Sequence, residues 1–210
     1  RNDKDDILHD YQDKTGVTIT SYGKQTENTI TVDTAKDQTT DVTLKDVHIE
    51  TEGSWNNTGS APIEIKGDGD TNLELNGDNT VLSGDRHHAA IEKADKNGTG
   101  TLTIKDDLND DNSTPKDKDE NGNAVGGDTG KLLAGGYGDG AGIGGGYNDI
   151  TDLSYANTSN ITIKGGEITA RGGCEDGAGI GSLIYIMRHY PELRWNKEEG
   201  RISAPHCAKL

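Results

Sequence analysis

The sequence predicts an all-β chain wound as a parallel β-helix, a solenoid, and three observations carry that expectation. Short apolar–polar–apolar phrases recur at a near-regular interval, glycine is abundant, and large aromatic side chains are almost missing. The phrases are Val42-Thr-Leu44-Lys-Asp46, Leu73-Glu-Leu75-Asn-Gly77, Leu102-Thr-Ile104-Lys-Asp106 and Ile161-Thr-Ile163-Lys-Gly165, whose starts lie 31, 29 and 59 residues apart. Alternation with period two over a few residues marks a strand with one buried face. A repeat holding several such strands marks a solenoid. The 30 glycines make one residue in seven, phenylalanine is absent, aromatics amount to 4% and apolar residues to 29%. A narrow prism filled by stacked Ile, Val, Leu and Ala suits that composition, with Gly, Asn and Asp at its corners. A β-sandwich of meandering hairpins is the competing architecture.

Each element follows from its local pattern. After each phrase comes a second apolar position: Val47 and Ile49, Val81, Leu108, and Ile168. A small-residue phrase ending in Ile then closes the unit: Ala61-Pro-Ile63, Ala89-Ala90-Ile91, Ala141-Gly-Ile143 and Ala178-Gly-Ile180. Ile30-Thr-Val32 and, before it, Val17-Thr-Ile19 read as leading strands of the same kind. The domain is expected over 1–181, with an acidic insertion at 106–130 stretching the last interval. Residues 182–210 break the pattern. They hold three acids against five bases, the only Met, and a helix-like run from Ser182 to Pro191. They read either as a cap on the open end or as a foreign tail after truncation, so a short helical or irregular C-terminus is expected. The chain begins at Arg1 with no charged-then-apolar leader, as an excised fragment would.

Charge excludes several partners. Asp and Glu number 37 against 21 Lys and Arg, for a formal net charge of -16. Nucleic acid and anionic membrane surfaces need clustered positive charge, so no nucleic-acid partner is expected. No run approaches the roughly 20 apolar residues needed to span a bilayer, so neither is membrane insertion. Two cysteines, Cys174 and Cys207, are too few for a disulfide scaffold and leave a single bridge open.

Within the insertion, Asp117-x-Asp119-x-Asn121-Gly122, followed by Asp128, has the spacing of a calcium loop. Ca²⁺ takes six to eight oxygens, and alternate side chains before a turning Gly wrap the chain about one ion. The expected ligands are Asp117, Asp119, Asn121, the Asn123 carbonyl and Asp128; Asp128 stands where a longer Glu is usual. A solvated acidic loop is the plainer alternative, and Asp68-Gly-Asp70-Thr-Asn72 is a weaker echo.

Enzymatic signatures are thin. Gly140-x-Gly142-x-x-Gly145 matches a dinucleotide fingerprint in letters only, since no βαβ setting surrounds it; a tight corner is the expected role. His87 and His88 read as turn residues. Paired carboxylates of a glycosidase cannot be assigned among so many acids, and Arg171 alone is a weak case for a lyase. For sugar stacking, Trp55 in Gly53-Ser-Trp55-Asn-Asn is the leading candidate, with Tyr137, Tyr147 and Tyr155 around the Gly-rich corner.

The phrases from Asp41 to Gly84, the Gly138-Asp-Gly-Ala-Gly-Ile-Gly-Gly-Gly146 run and the segment Ile161–Gly181 resemble the carbohydrate-binding β-helix repeat domains of secreted and surface proteins of Gram-positive gut bacteria. That resemblance implies a right-handed parallel β-helix, an extracellular location and acidic or cellulosic polysaccharide as ligand, with calcium in some members. The expected function is a non-catalytic glycan-binding or adhesion module on a cell surface or cell wall. A polysaccharide lyase or glycoside hydrolase is the first alternative and a structural stalk the second.

Overall fold

A computed structural model describes residues 16–53, 59–109, 115–122, 124–146, 157–174 and 177–181. Among these the chain is nearly all β, with one 3-10 turn at Asp95–Asn97. Fifteen strands form three five-stranded parallel sheets. The first holds β1 (Val17–Ile19), β4 (Thr39–Lys45), β7 (Asp70–Asn76), β10 (Leu102–Lys105) and β15 (Ile161–Ile163), in that spatial order. The second holds β2 (Gln25–Thr26), β5 (His48–Glu50), β8 (Asp78–Leu82), β13 (Lys131–Gly135) and β16 (Glu167–Arg171). The third holds β3 (Ile30–Asp33), β6 (Ile63–Lys66), β9 (Ile91–Glu92), β14 (Ile143–Gly144) and β17 (Ile180–Gly181). Every passage of the chain gives one strand to each sheet and then returns beside its starting strand. All pairings in the three sheets are parallel, so the meandering sandwich is ruled out.

Register turns the repeat into packed columns. On the third sheet Ile30, Ile63, Ile91, Ile143 and Ile180 stand in one row; the small-residue phrases foretell the last four, and Ile30 of the leading unit joins them. On the first, Val17, Val42, Leu73, Ile104 and Ile163 stand in another. Period-two alternation sends these side chains to one face and their neighbours to the other. Among the described residues every buried hydrophobic side chain is Ile, Leu, Val or Ala. Thr71, in register between Thr40 and Leu102, is satisfied by Thr34 Oγ1 (3.1 Å), which donates to Thr40 Oγ1 (2.9 Å).

Two details depart from the expected alignment. Leu102 pairs with Thr71 and Ile104 with Leu73, so the third phrase is slipped two residues against the second. A slip of two preserves which face each side chain takes, so hydrophobic pattern alone does not forbid it. Leu108 does not occupy the second sheet. It makes an isolated antiparallel bridge to Pro115, and Leu132 of β13 takes the place beneath Ile168.

Corners run through left-handed backbone. Gly67 (φ +88°) and Gly98 (φ +143°) are stacked, and a Cβ on Gly98 would collide with the Gly67 carbonyl. Asp46 and Asn160 adopt positive φ at other corners. The tail 182–210, with Cys207, lies outside the described residues.

Candidate functional site

Three features project from or interrupt the sheets: the Gly-rich corner after β13, the insertion between β10 and β13, and the turn between β1 and β2.

At the Gly-rich corner, Gly140 N–H donates to Tyr137 O (2.9 Å) and Asp139 N–H to Arg86 O (3.1 Å), which stacks this turn on the one after β8. Cβ atoms on Gly138, Gly140 and Gly142 would strike Arg86, the His88 carbonyl and the Arg171 backbone, so the corner closes only with glycine. The dinucleotide-like spacing therefore has a packing explanation. Beneath it lies a buried polar group. Arg86 Nε is 3.3 Å from Asp139 Oδ2. Asp85 accepts N–H bonds from Gly59 (3.1 Å) and His87 (2.7 Å), and so ties the chain ahead of β6 to the turn after β8. Glu92 accepts from His88 Nδ1 (2.8 Å) and from Ala89 N–H (3.2 Å).

Electrostatics follow from this packing. Burial opposes a charge on His88, but the hydrogen bond to Glu92 and the carboxylates of Glu92, Asp85 and Glu64 outweigh it and raise its pKa. Burial lowers the pKa of His87, against the pull of Asp85. The two histidines thus act as turn braces, as the sequence indicates. Register places Glu64 beside Glu92 on neighbouring strands, yet each is engaged separately. Glu64 takes Asn97 Nδ2 (3.0 Å) and Lys66 Nζ (2.9 Å), while Glu92 takes His88. The Asn97 bond braces one passage against the next, while the Lys66 and His88 pairs stay within a passage.

The insertion is closed at its neck by a residue the sequence reading passed over. Lys116 is buried and donates to Asp106 Oδ1 (2.6 Å) and Asp128 O (2.6 Å), while Asp106 Oδ2 accepts Gly130 N–H (3.3 Å). One ammonium thus ties both ends of the excursion. Beyond it β11 (Asp117–Lys118) pairs antiparallel with β12 (Ala124–Val125). Asp119 Oδ1 accepts Asn121 N–H (2.9 Å), its carbonyl accepts Gly122 N–H (3.0 Å), and Gly122 turns at φ +81°. Asp117, Asn121 and Asp128 are exposed; Asn123 lies outside the described residues. Among the described residues no group of three acidic, His or Cys side chains converges to hold a metal. Nearby, Glu74 is buried under the root of the insertion, and burial raises its pKa against the Leu108 N–H bond (2.7 Å).

Of the four aromatic candidates, Tyr137 is placed on the Gly-rich turn at 40% exposure. Trp55, Tyr147 and Tyr155 lie outside the described residues. Tyr22, absent from the sequence-based candidates, is 84% exposed. Its signal is Tyr-Gly in a short polar link between two strand phrases, where Asn-Gly is the usual pair. Arg171 ends β16, exposed, opposite Gly135.

Comparison with family models, curated proteins and solved structures gave no match. No helix among the described residues is long and apolar enough to cross a membrane.

Proposed function

We propose that the chain is a right-handed parallel β-helix module that binds glycans outside the cell without catalysis. The sheet order supports the first part: one strand per sheet per passage is what a three-sided solenoid requires. The observation that carries the second is a ring displayed on rigid backbone, Tyr137 on a turn whose neighbours admit only glycine. Rings stack on the apolar faces of pyranoses, and a rigid mount lowers the ordering cost of binding. Calcium belongs to the proposal through the exposed Asp117, Asn121 and Asp128 and the half-buried Asp119, with the Asn123 carbonyl completing the loop.

A glycan array with and without EDTA, followed by product analysis of each hit, tests this reading. Binding without cleavage is the expected outcome. Unsaturated or reducing-end products would indicate a lyase or hydrolase instead. Trp55→Ala is expected to weaken binding; unchanged binding removes that residue. Calorimetry of an Asp117→Ala/Asp119→Ala double variant should show loss of calcium uptake, and uptake equal to the parent excludes the loop. A structural stalk is the second reading, favoured by the Arg86–Asp139 ion pair that ties one passage to the next. It requires no binding to any glycan.

A further inference from the structure

Between β1 and β2 the chain makes a four-residue turn, Ser21–Tyr22–Gly23–Lys24, closed by Lys24 N–H donating to Ser21 O (3.0 Å). Its central residues have φ of +54° and +67°. Two successive positive φ values define a type I′ turn, whose first central position favours Asn, Asp or Gly because a bulky side chain strains the left-handed region. The corner is also longer than its neighbour. Ile19 is in register with Leu44 and Gln25 with His48, so six steps on one passage match four on the next. The two additional residues make a bulge that carries Tyr22 outward, while Gly23 N–H stays bonded to Asp46 O (2.7 Å) on the next corner.

Corners in the next two passages show what the fold prefers there. Asp46 (φ +49°) uses its left-handed position to present Oδ1 to Asp78 N–H (3.2 Å), and the following corner has Gly77 (φ +62°). Tyr22 does neither. Its backbone N–H is satisfied by Thr20 Oγ1 (2.9 Å), and its ring is 84% exposed, about twice as open as Tyr137. Strain at a residue that is 84% exposed and packs against no side chain among the described residues points to an outside contact.

We infer that Tyr22 is a stacking residue for a neutral pyranose, with the exposed side chains of Lys24 and Gln25 beside it to meet ring hydroxyls. The inference rests on the glycan-binding reading and adds to it a residue and a substrate class. A single ring among polar neighbours is too small an apolar surface for a protein partner, whose anchors sit in a broad desolvated patch. The net charge of -16 repels uronates and sulfated chains, which leaves uncharged sugars.

The test compares wild type, Tyr22→Phe and Tyr22→Asn by calorimetry against cellohexaose and a panel of neutral hexasaccharides, with a thermal melt of each protein. Tyr22→Phe should bind within about threefold of wild type. Tyr22→Asn should bind at least about tenfold more weakly while melting at the same temperature or higher, since Asn relieves the turn. Undiminished binding by Tyr22→Asn overturns the assignment and leaves the glycan-binding reading intact. A lower melting temperature for Tyr22→Asn also overturns it, because the ring would then be part of the packing. Wild type that binds none of the panel overturns the assignment; absence of binding across charged glycans as well would take the module reading with it.

Discussion

Two residues beyond the inward-facing Ile91, Lys93 is buried, and its N–H continues the ladder to Gly144 O (2.8 Å). Alternation puts its side chain on the same side as Ile91, and Nζ has no hydrogen-bond partner among the described residues. Burial lowers its pKa below the ordinary lysine value, with Asp95 opposing. The sign of the pH dependence follows. Between the lowered folded pKa and the unfolded value near 10.4 the unfolded chain holds the extra proton, so stability rises with pH across that window. Lys93→Met keeps the length and removes the charge. It should stabilise the protein by about 1–3 kcal/mol at pH 7, an advantage that shrinks towards pH 10. Urea unfolding of both proteins across that range measures it, and a variant less stable than the parent at neutral pH contradicts it. His88 has the opposite sign. Its folded pKa is raised, so its contribution is full below about pH 6.5 and declines as pH climbs through the folded value. His88→Gln should flatten that decline in the same unfolding series.

Among the strands, agreement between sequence and structure depends on whether the signal is local. Most of the isoleucine row of the third sheet could be read directly, because Ile63, Ile91, Ile143 and Ile180 each end a phrase of small residues, whereas Ile30 has no such phrase before it. The pairing of Thr71 with Leu102 could not, since Thr at an inward position looks like a surface residue until Thr34 Oγ1 is seen to bond it while donating on to Thr40. The neck of the insertion was hidden for a related reason. Lysine in a run of acids reads as solvated, and only folding shows Lys116 covered and shared between Asp106 and Asp128. Tyr22 was hidden because Tyr-Gly in a short polar link is a weak turn signal, and only the backbone angle shows the ring carried on a left-handed residue. The neck has a measurable consequence. Lys116→Met strands the Asp106 carboxylate in a buried site, a loss of about 3–5 kcal/mol for one partner of such a pair. Adding Asp106→Asn should recover much of it. Limited proteolysis should cut within 107–129 in the single variant far faster than in the parent; equal rates would mean that the clasp does not hold the insertion.

Taken along its axis, the structure stacks passages that pair only with their neighbours, so stability should be shared out by position and not held in one centre. Strands β7 and β10 have partners on both sides, while β1 and β15 each have one within the described sheets. Exposure follows the same gradient. Leu73, Leu75, Leu102 and Ile104 are fully buried, whereas Ile163 is 42% exposed and Ile180 49% exposed on the last passage. Each inward aliphatic contributes roughly in proportion to the area it removes from water, so the terminal passages gain less and pay a similar ordering cost. In a chain that behaves as a one-dimensional array, the ends open first and the opening propagates inward. Amide hydrogen exchange should therefore be slowest at Leu73–Leu75, Ile91 and Leu102–Ile104, and faster at Val17–Ile19 and Ile161–Ile163. Replacing Leu75 with Ala should cost about 2–5 kcal/mol and speed exchange on both sides of it, whereas Ile180→Ala should speed exchange only in the last passage. Uniform protection from β1 to β17, or exchange at Ile161–Ile163 as slow as at Leu73–Leu75, would show that the passages fold as one cooperative block and that local pairing does not set the order of opening.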